Sequence, residues 1–150
     1  MATAYQTESF GSVYQDALPL LQLHWQEIAR FKDVPLEPDV DLYRAAECAG
    51  RLRIYTARNE GALIGYAVYY VSSAAHYKSH IEARQDVVFI HPDFRRGRVG
   101  IKLLQFADEE LRKDGVGAVY HHVKVSHPAL GGVLTYLGYE HVENIYVRRL

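Results

Sequence analysis

The stretch Val87-Val88-Phe89-Ile90-His91-Pro92-Asp93-Phe94-Arg95-Arg96-Gly97-Arg98-Val99-Gly100-Ile101 carries the densest chemistry in the chain. An apolar run that reads as a strand meets a turn rich in glycine and arginine, and a helical pattern follows. Free N–H groups and the dipole at a helix start attract anions. Glycines let backbone approach a phosphate closely, and arginines add bidentate, charge-assisted hydrogen bonds. The expected ligand is a phosphate-bearing cofactor. The spacing is neither a P-loop nor a dinucleotide fingerprint.

The elements that hold this turn follow from periodicity. A helix is expected over residues 16–31, with Leu21, Trp25, Ile28 and Ala29 on one face and Pro19 in its first turn. Asp41 is expected to cap a second helix with Leu42, Ala45, Ala46 and Ala49 on one face, and Gly50 to stop it. The period then drops to two. Strands are expected over 51–58 and 62–71, joined by a hairpin turn at Asn59-Glu60-Gly61. Residues 72–79 read as a polar loop, and 81–90 as the strand entering the basic turn. A helix from about Val99 to Lys113 is expected to bury Gly100, Leu103, Leu104, Ala107 and Leu111. A strand over 118–125, a short helix over 128–137 and a last strand over 139–148 complete the chain. The class is therefore α/β or α+β in one domain, 1–150, with a mixed, mostly antiparallel sheet of six to seven strands and about four helices.

Ile90-His91-Pro92, then Arg95-Arg96-Gly97-Arg98-Val99-Gly100, then Leu103-Leu104 resembles the signature of the GCN5-related N-acetyltransferases (GNAT family). Leu137-Gly138-Tyr139-Glu140 is similar to that family's Leu-Gly-aromatic segment before its last strand, and the element order fits along nearly the whole chain. The resemblance implies acetyl-CoA as cofactor. Arg95, Arg96, Gly97, Arg98, Val99, Gly100 and Ile101 would hold its pyrophosphate. Phe89 and Ile90 would offer backbone to its pantetheine arm, where a bulge splays the sheet. Two positions depart from the pattern. Arg98 stands where the family has its middle glycine, and Leu134 where it usually has a proton-donating tyrosine. His127 stands where an asparagine is common. A histidine- and tyrosine-bearing loop before residue 81 is similar to a branch often encoded by phages, which would place the protein in a host cytoplasm, acting on a host protein.

Acetyl transfer to an amine requires removal of a proton from a group of pKa about 10.4. Glu82 and Asp86 lie four residues apart on the strand and so share a face, which Val88 and Ile90 continue. Asp86 is the first candidate for base or amine anchor, and Glu82 the second. The plainer reading is a solvated edge or an ion pair with Arg84. His127 is the remaining catalytic candidate. His76 and Tyr77 are expected to border the acceptor pocket. The His76/His80 spacing invites a metal, but it lies in a loop entering a strand and lacks a clear third ligand, so none is expected. His121 and His122 alternate across a strand and are expected to be structural, although one of them could face the cleft. Cys48 lies far from the motif, which argues for direct transfer in a ternary complex.

Whole-chain arithmetic narrows the partners. The chain has 150 residues with 17 Lys+Arg against 18 Asp+Glu, a net charge of -1. That balance argues against a nucleic-acid binder. A single cysteine rules out an internal disulfide and suits a reducing compartment. No basic leader and no long apolar run is present, so a cytoplasmic protein without membrane insertion is expected. The acceptor is an amine-bearing protein or small molecule, and homodimerisation through the final strand is open. The alternative to an enzyme is a non-catalytic relative that modulates a partner protein.

Overall fold

A computed structural model describes residues 2–150. Strand β1 (Thr3–Thr7) leads into α1 (Phe10–Ile28), then α2 (Val40–Cys48). Strands β2 (Leu52–Asn59), β3 (Ala62–Ala74) and β4 (Tyr77–Ile90) form an antiparallel meander. A single 3-10 turn, Pro92–Phe94, precedes α3 (Val99–Lys113), β5 (Ala118–Tyr120) and α4 (Ala129–Tyr136). The sheet runs β1-β2-β3-β4-β5, with only β5 parallel to its neighbour.

Burial of both sheet faces accounts for the apolar β2 and β3. Phe10, Val13, Ala17 and Leu20 of α1 pack with Ala46 of α2 against Leu52, Ile54, Tyr66 and Phe89. Leu103, Leu104, Ala107 and Leu111 of α3 pack with Leu134 of α4 against Tyr55, Ala57, Tyr69 and Ala83 on the other face. The first two helices begin at side-chain caps, and for α2 the cap is Asp39 rather than the expected Asp41, which lies in the first turn. Ser9 accepts from the Ser12 N–H and Asp39 from the Leu42 N–H. The β2–β3 turn uses Glu60 and Gly61, both at positive φ, as a two-residue hairpin loop demands.

Several expectations need correction. The sheet has five strands among the described residues, fewer than six to seven. An additional N-terminal strand, β1, pairs with β2, because Glu8 accepts bonds from Arg58 and Thr56 and fastens the start of the chain. Burial alone would raise the Glu8 carboxyl, but the bonds from Arg58, Thr56 and Gln6 outweigh it and hold it near about 2. Residues 72–79 extend β3 and β4 into a longer hairpin. Backbone pairing carries a polar segment there as readily as an apolar one. β5 stops at Tyr120, and residues 139–148 form no strand.

The buried stripe of α1 is Phe10, Val13, Ala17, Leu20 and His24. The predicted Leu21–Trp25–Ile28 stripe sits one position round the helix. Pro19 lies well inside α1, not in its first turn. Its missing N–H deprives the Gln15 carbonyl of its usual partner.

Candidate active site

β4 and β5 pair only from Glu82–Arg84 to Ala118–Tyr120. Beyond this short ladder they part. The edge of β4 that faces β5 is left without a strand partner from Gln85 onward. The opening is a cleft of about 1980 Å³, walled by α1, the α1–α2 connection, β4, residues 119–128 and residues 139–147. Its size exceeds the ~300–1,000 Å³ of ordinary small-molecule pockets.

Asp86 sits where the strands part. Val68 lies opposite Val87 and Tyr69 opposite Gln85, so Asp86 is the unpaired residue of a β-bulge. The bulge changes the parity of the strand. Asp86 and Glu82 do face the α1–α2 side, whereas Val88 and Ile90 pack on the α3 side. The expected continuous face of Glu82, Asp86, Val88 and Ile90 is thereby divided. Burial raises the Asp86 pKa, opposed by the Tyr43 hydrogen bond and the charge of His122. The Tyr43 hydroxyl donates to Asp86 Oδ2 at 2.5 Å, and this is the carboxylate's one hydrogen bond among the described residues. Phe10 stacks on Tyr14 at 4.9 Å and on Tyr43 at 5.3 Å, and Tyr43 on Tyr70 at 6.2 Å. An aromatic ladder therefore borders the acid.

Of the two adjacent histidines, one of which was expected to be able to face the cleft, His122 stands beside Asp86. Strand alternation separates it from His121. It lines the cleft and interacts with Asp86, while desolvation lowers its pKa. His121 turns to the core side. Its Nε2 lies 3.1 Å from the Tyr69 hydroxyl and its Nδ1 2.7 Å from Gln85 Oε1. Desolvation, then His122, pushes its pKa down to about 4. Buried His24 was missed. Its Nδ1 lies 3.1 Å from the Tyr66 hydroxyl, and its ring stacks on Phe89 at 4.8 Å. Burial brings its pKa to about 4. The Phe10, Val13, Ala17, Leu20 spacing, carried one step further, would have found it.

The remaining predicted residues are spread along the fold. Glu82 lies outside the cleft lining and bonds Arg84 at 3.0 Å. His76 and Tyr77 form the tip of the β3–β4 hairpin, exposed to solvent. At ~3.3 Å per residue, β4 separates Tyr77 from Asp86 by about 30 Å. His127 lines the cleft, with Nδ1 3.0 Å from the Ser126 hydroxyl. Leu134 is buried. Tyr139 also lines the cleft, and its hydroxyl donates to Asp108 Oδ1 at 2.5 Å.

At the basic turn, α3 begins at Val99 with Arg98 as a cap that makes no side-chain bond. The N–H groups of Val99, Gly100 and Ile101 thus have no side-chain partner. Arg96, Gly97 and Arg98 are exposed. Arg98 has φ -101°, so it needs no glycine there. A Cβ on Gly97 would meet nothing within 4 Å, and one on Gly100 only Ile90 Cγ1 at 3.7 Å. Neither glycine is required by the chain itself. Arg95 differs from its neighbours. It bonds Glu27 at both guanidinium ends (3.0 and 2.8 Å), donates to the Ile90 carbonyl at 2.9 Å and lies 5.1 Å from the Phe89 ring. It ties the turn to α1.

A family model for "Acetyltransferase (GNAT) family" matches residues 14–139. The chain belongs to the GNAT family. Acetyl transfer is that family's general activity. Three solved structures share the fold at low identity. A ribosomal-protein-alanine N-acetyltransferase from Brucella melitensis biovar Abortus 2308 is 15% identical, with TM-score 0.76 over 99% of both chains. AAC(6')-Iy, in complex with the bisubstrate analog CoA-S-monomethyl-acetylneamine, is 17% identical, with TM-score 0.77 over 100% of this chain and 99% of that one. An aminoglycoside acetyltransferase from an uncultured soil metagenomic sample, in complex with sisomicin, is 16% identical, with TM-score 0.75 over 99% and 97%. No curated protein sequence matches the chain. No helix among the described residues is long and apolar enough to cross a membrane, and no cluster of three or more His, Cys, Asp or Glu is placed to hold a metal.

Proposed function

We propose that this GNAT protein is an acetyl-CoA-dependent N-acetyltransferase acting on a primary amine by direct transfer. The observation that carries the reading is the parting of β4 from β5 beyond Arg84, on a strand whose far end, Ile90, packs against Gly100 at the uncapped start of α3. It offers an unpaired backbone edge and an anion-binding helix start together. Acetyl-CoA, when bound, supplies a thioester carbonyl open to attack. Arg96, Gly97, Arg98 and the N–H groups of Val99, Gly100 and Ile101 would hold its pyrophosphate. The β4 backbone through Phe89 and Ile90 would align its arm.

Asp86 anchors the acceptor ammonium in the cleft. His122, which faces Asp86 and is kept neutral by desolvation, takes the proton. The amine nitrogen then forms its bond to the acetyl carbon as the C–S bond breaks. His127 at the cleft wall would supply the proton that the departing thiolate takes up. This help is modest, because an ordinary thiol titrates near about 8.5. His76 and Tyr77 would touch only an acceptor long enough to reach the hairpin tip. Glu82 acts with Arg84 at the end of the β4–β5 ladder.

Calorimetric titration with acetyl-CoA tests the reading. The wild type binds. Arg96→Glu weakens binding at least tenfold and leaves the unfolding midpoint unchanged, because Arg96 is exposed. Absence of heat and of thermal shift at millimolar acetyl-CoA sinks the proposal. Residues 140–150 are the segment we further propose to mediate pairing of two copies.

A further inference from the structure

The cleft walls assign a class of acceptor, and this inference rests on the N-acetyltransferase reading of the same site. Polycationic acceptors need a carboxylate for each ammonium. Here Glu27 is occupied by Arg95 through two bonds. Asp86 remains as the one carboxylate at the strand parting. Glu37, Glu140 and Glu143 are on exposed segments of the lining. Arg30, Arg84, Lys124 and His122 share the same walls and are likewise exposed. Among the described residues, a second or third ammonium finds no other unpaired carboxylate sheltered from solvent there.

The body of the acceptor is specified by apolar surface. The Phe10–Tyr14–Tyr43 ladder stands beside Asp86. Leu21, Trp25 and Ile28, the α1 stripe left out of the buried core, continue the wall. The Tyr43 hydroxyl is used by Asp86 Oδ2, which leaves Oδ1 for one ammonium. An ammonium seated at Asp86 also lies against aromatic rings, which attract cations. We infer that the acceptor is a monoamine on an apolar or aromatic body, whether a free arylalkylamine or the N-terminal residue of a peptide. This differs from the aminoglycosides named with two of the structural neighbours.

Trp25 is the chain's single tryptophan and lines the cleft, so its emission reports amine binding without turnover. The probes are 2-phenylethylamine, a short peptide with N-terminal phenylalanine, spermidine and kanamycin, each titrated without acetyl-CoA. 2-Phenylethylamine or the peptide should shift Trp25 emission saturably, at least tenfold tighter than either polycation. The tighter of the two distinguishes free amine from peptide. Asp86→Asn, which keeps the shape of the acid, should weaken that binding at least tenfold, and Tyr14→Ser by several-fold. Tighter binding of spermidine or kanamycin overturns the inference, as does binding that survives Asp86→Asn. Acetyl-CoA calorimetry is read separately. A failed amine preference with intact acetyl-CoA binding therefore rejects the acceptor class and leaves the transferase reading standing.

Discussion

Two histidines show how much a residue's environment decides. His24 and His121 are held neutral in the fold, each with its pKa near about 4, chiefly by burial. In the unfolded chain both would titrate near about 6.5. The unfolded state therefore binds more protons between these values, and stability falls as pH drops from about 6.5 toward 4. Above 6.5 neither state is charged, and the effect vanishes. The limiting slope is about 1.4 kcal/mol per pH unit for each group. Urea denaturation at a series of pH values should show this loss, and His24→Gln or His121→Gln should each remove about one proton from the slope. An unchanged slope in both variants would contradict the assigned neutrality. Their partners differ in consequence. His24 supports Phe89 on the proposed cofactor strand, whereas His121 joins Gln85 to Tyr69 behind the cleft.

Elements explain why part of the site was legible in sequence and part was not. The helix Val99–Lys113 was readable to the residue, because its apolar stripe and its glycine-marked ends agree. Asp86 stood out in the sequence because an acid beside an apolar strand is unusual, and the fold places it in the cleft lining. The face it shares was not readable, because one unpaired residue at the bulge reverses alternation and no local pattern announces it. That one of His121 and His122 could face the cleft was readable from alternation, but not which one, since two adjacent histidines give no hint of which side meets Asp86. The final strand was overread. Valine, isoleucine and tyrosine favour pleated sheet, but a strand also needs a neighbour. The glycines of the turn yield a prediction at this scale. Gly97 and Gly100 have no positive φ, and their Cβ positions are free of close contact. Gly97→Ala and Gly100→Ala should therefore leave the fold unchanged or stabilise it by up to about 1 kcal/mol. Both should weaken acetyl-CoA several-fold, since the remaining reason for glycine is approach of a phosphate. Denaturation midpoints and calorimetry should thus move in opposite directions. Affinity that stays at the wild-type value would remove these glycines from the cofactor site.

At the scale of the whole molecule, the sheet and the tail are each incomplete. The family match ends at Tyr139, and residues 140–150 are exposed throughout. Val142, Ile145, Tyr146, Val147 and Leu150 stand 64% or more open to solvent. The tail is fastened near its end by Arg149, which bonds Asp33 twice at 2.6 Å and lies over Phe31. Both partners of that pair are more than half exposed, and such surface pairs contribute about 0–1 kcal/mol. Meanwhile β5 is an edge strand of three residues with no neighbour on its outer side among the described residues. An unpaired edge and an unpaired, strand-forming segment on one chain are satisfied together when two copies exchange tails about a two-fold axis. Light scattering should then give a dimer at micromolar concentration. Removal of residues 140–150 should give a monomer that retains α3 and its acetyl-CoA affinity. Amide exchange in 141–149 should be slow in the dimer and fast on dilution. A monomer at 100-fold higher concentration, or a tail protected equally at all concentrations, would mean that the segment closes on its own sheet and that exchange between copies is wrong.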